Sequence, residues 1–136
     1  MSYILDCSFC AALFLPHEKS GAVKDLFRKI GDDDTAVPVQ FWDEMTELLY
    51  TALKRDRLKH ADALEINRLF TMYRFTTDTA FGGDYTARLL ELAGLYDLSV
   101  REAPYLELAV RKGARLGTLN GKLKAACLKA GITVLL

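Results

Sequence analysis

Tyr3-Ile4-Leu5-Asp6-Cys7-Ser8-Phe9-Cys10-Ala11-Ala12-Leu13-Phe14-Leu15 opens the chain and decides how the rest is understood. A short apolar run ends at an acid, apolar positions then recur at helical spacing to about Leu15, and Pro16 stops the pattern. That is strand, turn, helix. The alternation continues. A helix is predicted over 22–30, with Val23, Leu26, Phe27 and Ile30 on one side, Gly31 at its end and Asp32-Asp33-Asp34 as a solvated turn. A brief strand over 35–39 precedes the longest uninterrupted amphipathic helix of the first half, 41–54, and a helix over 61–72 follows the basic turn at 54–60. A strand is predicted over 74–77, a break at Gly82-Gly83, helices over 85–95 and 100–112, a strand over 115–119, a helix over 121–130 and a last strand over 132–135.

Strands alternating with helices imply a parallel sheet joined by right-handed crossovers and covered on both faces. The expected fold is therefore α/β, a three-layer α/β/α sandwich with a central parallel sheet of four to five strands, in a single domain over 1–136. With 136 residues and 51% apolar composition, the chain can bury a core without disulfides. Its three cysteines, an odd number, point to reduced thiols in a reducing compartment. The first fifteen residues have no basic leader region and Asp6 interrupts their apolar run, so the expectation is a cytoplasmic protein with no membrane span.

Net charge is zero, from 18 basic and 18 acidic residues, but it is unevenly spread. Residues 100–136 carry seven basic and two acidic side chains, a net +5, which leaves −5 on residues 1–99. Such asymmetry allows a basic surface for phosphates beside an acidic pocket, although scattered helix-surface lysines produce the same count.

Four residues sit where a parallel sheet would gather them beyond the carboxyl ends of its strands: Asp6, Glu44, Glu102 and Asn120. Carboxylate clusters hold hard cations such as Mg²⁺ or Mn²⁺. Each residue also has a local structural role open to it. Asp6 and Asn120 are preferred helix N-caps, and Ser99-Val100-Arg101-Glu102 matches a capping box. At 100° per residue from Phe41, Glu44 lies at about 300°, bordering the apolar arc, where a glutamate can simply reach into solvent. Asp43 and Glu47 lie farther from that arc.

Three segments carry a likeness to a known family: Tyr3-Ile-Leu-Asp6-Cys-Ser8 with Glu18 beyond it; Val37-Pro38 through Trp42-Asp-Glu44 and Leu48-Leu49; and Leu98-Ser99-Val100-Arg101-Glu102-Ala103-Pro104-Tyr105-Leu106-Glu107-Leu108-Ala109 with Leu116-Gly-Thr118-Leu-Asn120-Gly-Lys122-Leu123. On these the chain resembles, over nearly its full length, the PIN-domain ribonucleases, in particular the toxin subunits of VapBC-type toxin–antitoxin pairs. The resemblance implies a metal-dependent ribonuclease whose acids bind Mg²⁺ or Mn²⁺ and hydrolyse RNA phosphodiesters, with a small antitoxin as partner and a homodimer as the working form. It assigns Asp6, Glu44, Glu102 and Asn120 to the catalytic positions and Asp6, Glu44 and Glu102 to the metal. The family usually has aspartate where this chain has Glu102 and again where it has Asn120. Glu47 stands where an asparagine is common. Tyr96-Asp97 mimics a Tyr-Asp pair, but using it would break the frame set by Tyr105 and Leu106.

Arg101, Lys122 and Lys124 are candidate phosphate contacts by their nearness in sequence, which would make affinity fall with salt. Thr118 is a candidate for positioning a water, or a strand former and nothing more. Trp42, Phe70, Tyr73 and Phe81 are apolar candidates for an antitoxin surface or for the core. Two other readings compete. Cys7-Ser-Phe-Cys10 has the spacing of a redox pair, which needs a lowered thiol pKa, although Cys10 falls on the apolar side with Leu13 and Phe14. Alternatively, the altered acids leave a catalytically impaired PIN-like module that acts through protein or RNA binding.

Overall fold

Ser2-Tyr-Ile-Leu forms β1 (Ser2–Leu5), the strand that needs burial on both faces, and its consecutive apolar residues supply it: Ile4 and Leu5 are fully buried. The structure is a computed structural model and describes residues 1–15 and 20–135. The expected helix stop at Pro16 and the motif residue Glu18 lie outside them. The elements that follow are α1 (Cys7–Phe14), α2 (Gly21–Ile30), β2 (Asp34–Pro38), α3 (Gln40–Lys54), α4 (His60–Met72), β3 (Thr76–Asp78), α5 (Gly83–Tyr96), α6 (Ala103–Lys112), β4 (Arg115–Gly117) and α7 (Gly121–Lys129).

All four strands run parallel in the order β3-β2-β1-β4, with Tyr3 opposite Thr35, Ile4 opposite Leu116 and Val37 opposite Thr77. The crossovers from β1 to β2 and from β2 to β3 carry α1–α4, which pack together on one face. The long return from β3 to β4 carries α5 and α6, and α6 lies against β1, β2 and β4 on the other face with α7 beside it. This is a three-layer α/β/α sandwich. Because the connections leave β1 and enter β4 in opposite senses, a crevice opens at their carboxyl ends, where ligands collect in open parallel sheets.

Phe14, Phe41, Phe70 and Phe75 fill the α1–α4 side, with Phe70 centred 4.6 Å from Phe14 and 6.1 Å from Phe41. Phe70 is therefore core. Trp42 is half-buried and its indole N–H donates to Thr77 Oγ1 at 2.9 Å. Tyr73 and Phe81 are exposed, so only these two of the four apolar candidates lie at the surface. On the opposite face an ionic network ties three elements. Arg111 grips Asp78 with bonds of 2.7 and 2.9 Å and the buried Glu107 with bonds of 2.8 and 3.0 Å, while Arg88 reaches Glu107 at 3.3 Å.

Four expected boundaries shift for local reasons. Arg74 has φ of 52°, a left-handed turn conformation, so the strand expected over 74–77 begins only at Thr76. The helix expected from 100 starts at Ala103, since Pro104 suits a first turn while residues 99–102 form a separate turn. β4 stops at Gly117 instead of 119, and the strand expected over 132–135 is reduced to one bridge between Leu116 and Val134, because so short a β4 offers almost no ladder. Among the described residues no helix is long and apolar enough to cross a membrane.

Gly117 marks the closest approach of β4 to the centre of the sheet. A Cβ there would lie 2.8 Å from Leu5 Cδ2 and 3.0 Å from the ring of Phe9, both fully buried and unable to withdraw. Gly117→Ala is expected to lower the unfolding free energy by about 1–3 kcal/mol in a urea titration, with little change in slope.

Candidate functional site

Asp6 ends β1 and caps α1, accepting from the Phe9 N–H at 3.0 Å and from Ser8 Oγ at 2.7 Å on one oxygen and from Thr118 Oγ1 on the other. Only 5% of its surface is exposed. Both hydroxyls serve twice: Ser8 Oγ also accepts the Leu119 N–H at 2.8 Å, and Thr118 Oγ1 accepts the Asn120 N–H at 2.9 Å. The β1–α1 junction and the β4–α7 junction are thereby tied across the crevice. Burial raises the Asp6 pKa, and the bonds from Thr118, Ser8 and Phe9 offset only part of that shift.

Glu44, on α3, is half-buried and accepts a bond from the Tyr105 hydroxyl at 3.2 Å. Its pKa is raised first by burial and also by the charge of Asp6, while bonds from Tyr105 and Cys7 and the charge of Arg101 lower it. Tyr105 sits on α6, almost wholly buried, and its oxygen is also 3.6 Å from Cys7 Sγ. Its pKa is pushed far up by burial, so it stays a neutral donor.

Glu102 behaves differently from the other two acids. It exchanges bonds with Ser99, Ser99 N–H to Glu102 Oε1 at 2.9 Å and Glu102 N–H to Ser99 Oγ at 3.1 Å, which is the reciprocal pattern the sequence suggested. Its other oxygen accepts from Asn120 Nδ2 at 2.8 Å. Burial works to raise the Glu102 pKa, but the Ser99 and Asn120 bonds with the charge of Lys122 outweigh it, and the net shift is downward. Asn120 in turn caps α7, its Oδ1 accepting the N–H groups of Lys122 at 3.0 Å and Leu123 at 3.2 Å. Those two donors fix the amide orientation: the oxygen faces the helix and the nitrogen faces Glu102.

Asp6, Glu44, Glu102 and Asn120 thus come together in one cavity of ≈ 300 Å³, with Ser99, Arg101, Tyr105 and Leu123. It continues into a larger opening of ≈ 620 Å³ that shares Asp6, Glu44, Arg101 and Asn120 and adds Glu47, Leu48 and Thr51. Arg101 lines both, and its guanidinium bonds Glu47 at 2.9 Å. Lys122 and Lys124 line neither; the Lys122 amine is 3.9 Å from Asp97 on the exposed surface. Thr118 is buried behind Asp6 as a hydroxyl donor to the carboxylate.

Among the described residues no three side chains of the His, Cys, Asp and Glu types converge as a ready metal cage. The donor chemistry still suits a hard cation. Mg²⁺ commonly takes one or two protein carboxylates and completes its shell with water and phosphate oxygens, and Asp6 and Glu44 both border the open cavity. Asn120 cannot add an oxygen, because its own is committed to α7. The cysteines are buried and free. Burial raises the thiol pKa of Cys7 and Cys10 and brings that of Cys127 to about 12, the opposite of what a redox pair requires.

Sequence periodicity found Glu44 but not the phenol that holds it, since the Tyr105 contact joins helices 61 positions apart. Ser8 gave one usable signal, its place two residues after Asp6.

No family model matches the sequence, and no curated protein does. Among solved structures, the chain is similar to one titled "Crystal structure of PAE2754 from Pyrobaculum aerophilum". The TM-score is 0.72 at 20% identity, covering 99% of this chain and 84% of that one. At that identity the likeness extends to the fold alone.

A raised acid pKa means the folded state holds the proton more tightly than the unfolded chain, so ionised Glu44 costs stability above its folded pKa. That cost vanishes below the unfolded value of about 4.3. Gln keeps an oxygen for Tyr105 and removes the charge. Glu44→Gln is therefore expected to melt higher than the wild type at pH 7, by well under about 1 kcal/mol at so solvent-screened a position. The gain fades as thermal melts are repeated toward pH 4, and a variant less stable at pH 7 would contradict the assignment.

Proposed function

We propose that this chain is a Mg²⁺- or Mn²⁺-dependent endoribonuclease that hydrolyses RNA phosphodiesters, a PIN-domain toxin of a toxin–antitoxin pair. One observation carries the proposal. Asp6 and Glu44, from different elements, share an open cavity, each holds its proton more tightly than usual, and neither has an ion-pair partner among the described residues. Paired acids shifted upward in a cleft are a mark of sites that handle charge.

Asp6 and Glu44 are the residues that would hold the ion, with Glu102 at the edge of the same cavity. The ion, when bound, supplies charge to offset that on the phosphoryl oxygens and lowers the pKa of a water. The protein's own work is orientation. Ser8 and Thr118 hold the Asp6 carboxylate to one direction, and Tyr105 does the same for Glu44. Arg101 is the basic side chain that borders both cavities and is available to a phosphate. With two carboxylates rather than a cage, Mn²⁺ affinity is expected to be weak, with Kd of about 1 mM. The same proposal makes the protein cytoplasmic and a homodimer with a small antitoxin as partner, for which exposed Tyr73 and Phe81 offer apolar surface.

The Asn120–Glu102 bond favours a second reading, a catalytically impaired module that binds RNA or protein, because with the Ser99 bond it occupies both oxygens of Glu102. Purified protein incubated with structured RNA and Mn²⁺ separates the two. The nuclease cleaves, stops with chelator, and loses about 100-fold or more of its rate in Asp6→Asn. Cleavage that persists in that variant rejects the assignment, and RNA binding without cleavage selects the module.

A further inference from the structure

Among the described residues, Arg101 and Glu47 are the one ion pair whose two members both line the opening over Asp6 and Glu44. They come from α3 and from the turn before α6, 54 positions apart, and are joined by a 2.9 Å bond within the lining of the opening. Both side chains are well exposed, 68% for Arg101 and 59% for Glu47. An exposed pair of this kind is held by little net free energy and exchanges readily for another anion. The backbone under Arg101 is, by contrast, firmly set. Leu98 is buried ahead of it, Ser99 and Glu102 bond each other across it, and Asn120 Nδ2 anchors Glu102 from α7. The turn fixes where the guanidinium starts and leaves it free to swing.

We propose that Arg101 is the anchor for an RNA phosphate and that Glu47 holds its place in the free protein, to be displaced by the phosphate when RNA enters. A guanidinium presents a donor fork that fits carboxylate and phosphate alike, so one anion replaces the other without rearranging the turn. In this arrangement Glu102 and Asn120 serve as positioning residues for Arg101. The exchange also puts a favourable charge at the entrance to a pocket whose acids would otherwise repel a polyanion. This inference rests on the ribonuclease proposal for its ligand class.

The test measures binding and needs no cleavage. A short fluorescent single-stranded RNA is titrated with chelator present against the wild-type chain, Arg101→Ala, Glu47→Gln and the double variant. Arg101→Ala is expected to weaken binding about tenfold and to reduce the slope of log affinity against log salt by about 0.7. Glu47→Gln is expected to tighten binding about threefold, and the gain is expected to vanish in the Arg101→Ala background. A gain that survives without Arg101 reports only a general change of charge and overturns the exchange. So does an Arg101→Ala chain with wild-type affinity and salt slope, or a wild-type chain that binds no RNA at micromolar concentration. Coupled binding in a chain that cleaves nothing with Mg²⁺ or Mn²⁺ would sink the hydrolase proposal and leave this one standing.

Discussion

The geometry of the cavity depends on one buried carboxylate being satisfied. Asp6 terminates the central strand at a point that is almost sealed from water, where an acid is costly unless its oxygens find donors. Ser8, the Phe9 N–H and Thr118 provide them, and two of these are hydroxyls that must also accept. Their second bonds run to the N–H groups of Leu119 and Asn120, so satisfying Asp6 fixes the start of the segment leading into α7. Asn120 is then held where its nitrogen meets Glu102, and Glu102 pins the turn that carries Arg101. Removing the acid would disturb both of the junctions that meet in the crevice, well beyond one helix cap.

Electrostatics divides the three acids of the cavity. Glu102 receives donors on both oxygens and its proton affinity falls. Glu44 receives chiefly a neutral phenol, Asp6 is deeper still, and both stay shifted the other way. At Glu102 the donors outweigh burial, whereas at Asp6 and Glu44 burial outweighs the donors. An ionised acid whose pKa is raised by burial lowers the stability of the chain on its own. The electrostatics of the cavity therefore differs between its Asp6–Glu44 end and its Glu102–Asn120 end.

Much of this was legible in the sequence, for reasons that also set its limits. The apolar run ending at Asp6, the stripe that places Glu44 and the Ser99–Glu102 spacing are local patterns, and each corresponds to a local feature of the structure. Asp6 and Asn120 resisted a choice between cap and cavity position because each residue does both: Asp6 caps α1, Asn120 caps α7, and the two line the same cavity. The strand expected over 74–77 is present but begins only at Thr76, because Arg74, a residue with no composition signal for a left-handed turn, takes that conformation. The final strand failed because its pairing depends on the length of β4, not on its own residues. Contacts such as Tyr105–Glu44 and Arg101–Glu47 were out of reach, since they follow from how α3 and α6 meet across the sheet.

Two ion-pair systems on the same helix and its leading turn show how burial assigns different work to similar residues. Glu107 is nearly inaccessible and is shared by Arg88 and Arg111, with Asp78 as second partner of Arg111, so loss of both arginines would strand a buried charge. That network locks α5, α6 and the end of β3 together. Five residues before Glu107, the turn ends at Glu102, and the arginine it carries bonds one exposed carboxylate, that of Glu47, directly at 2.9 Å. The network anchors one end of α6, and at the other end Arg101 is held by one exposed pair on a hydrogen-bonded turn. A rigid support beneath a loosely held guanidinium is what an anion-exchange position needs, and in this chain the two conditions sit within one helix length of each other.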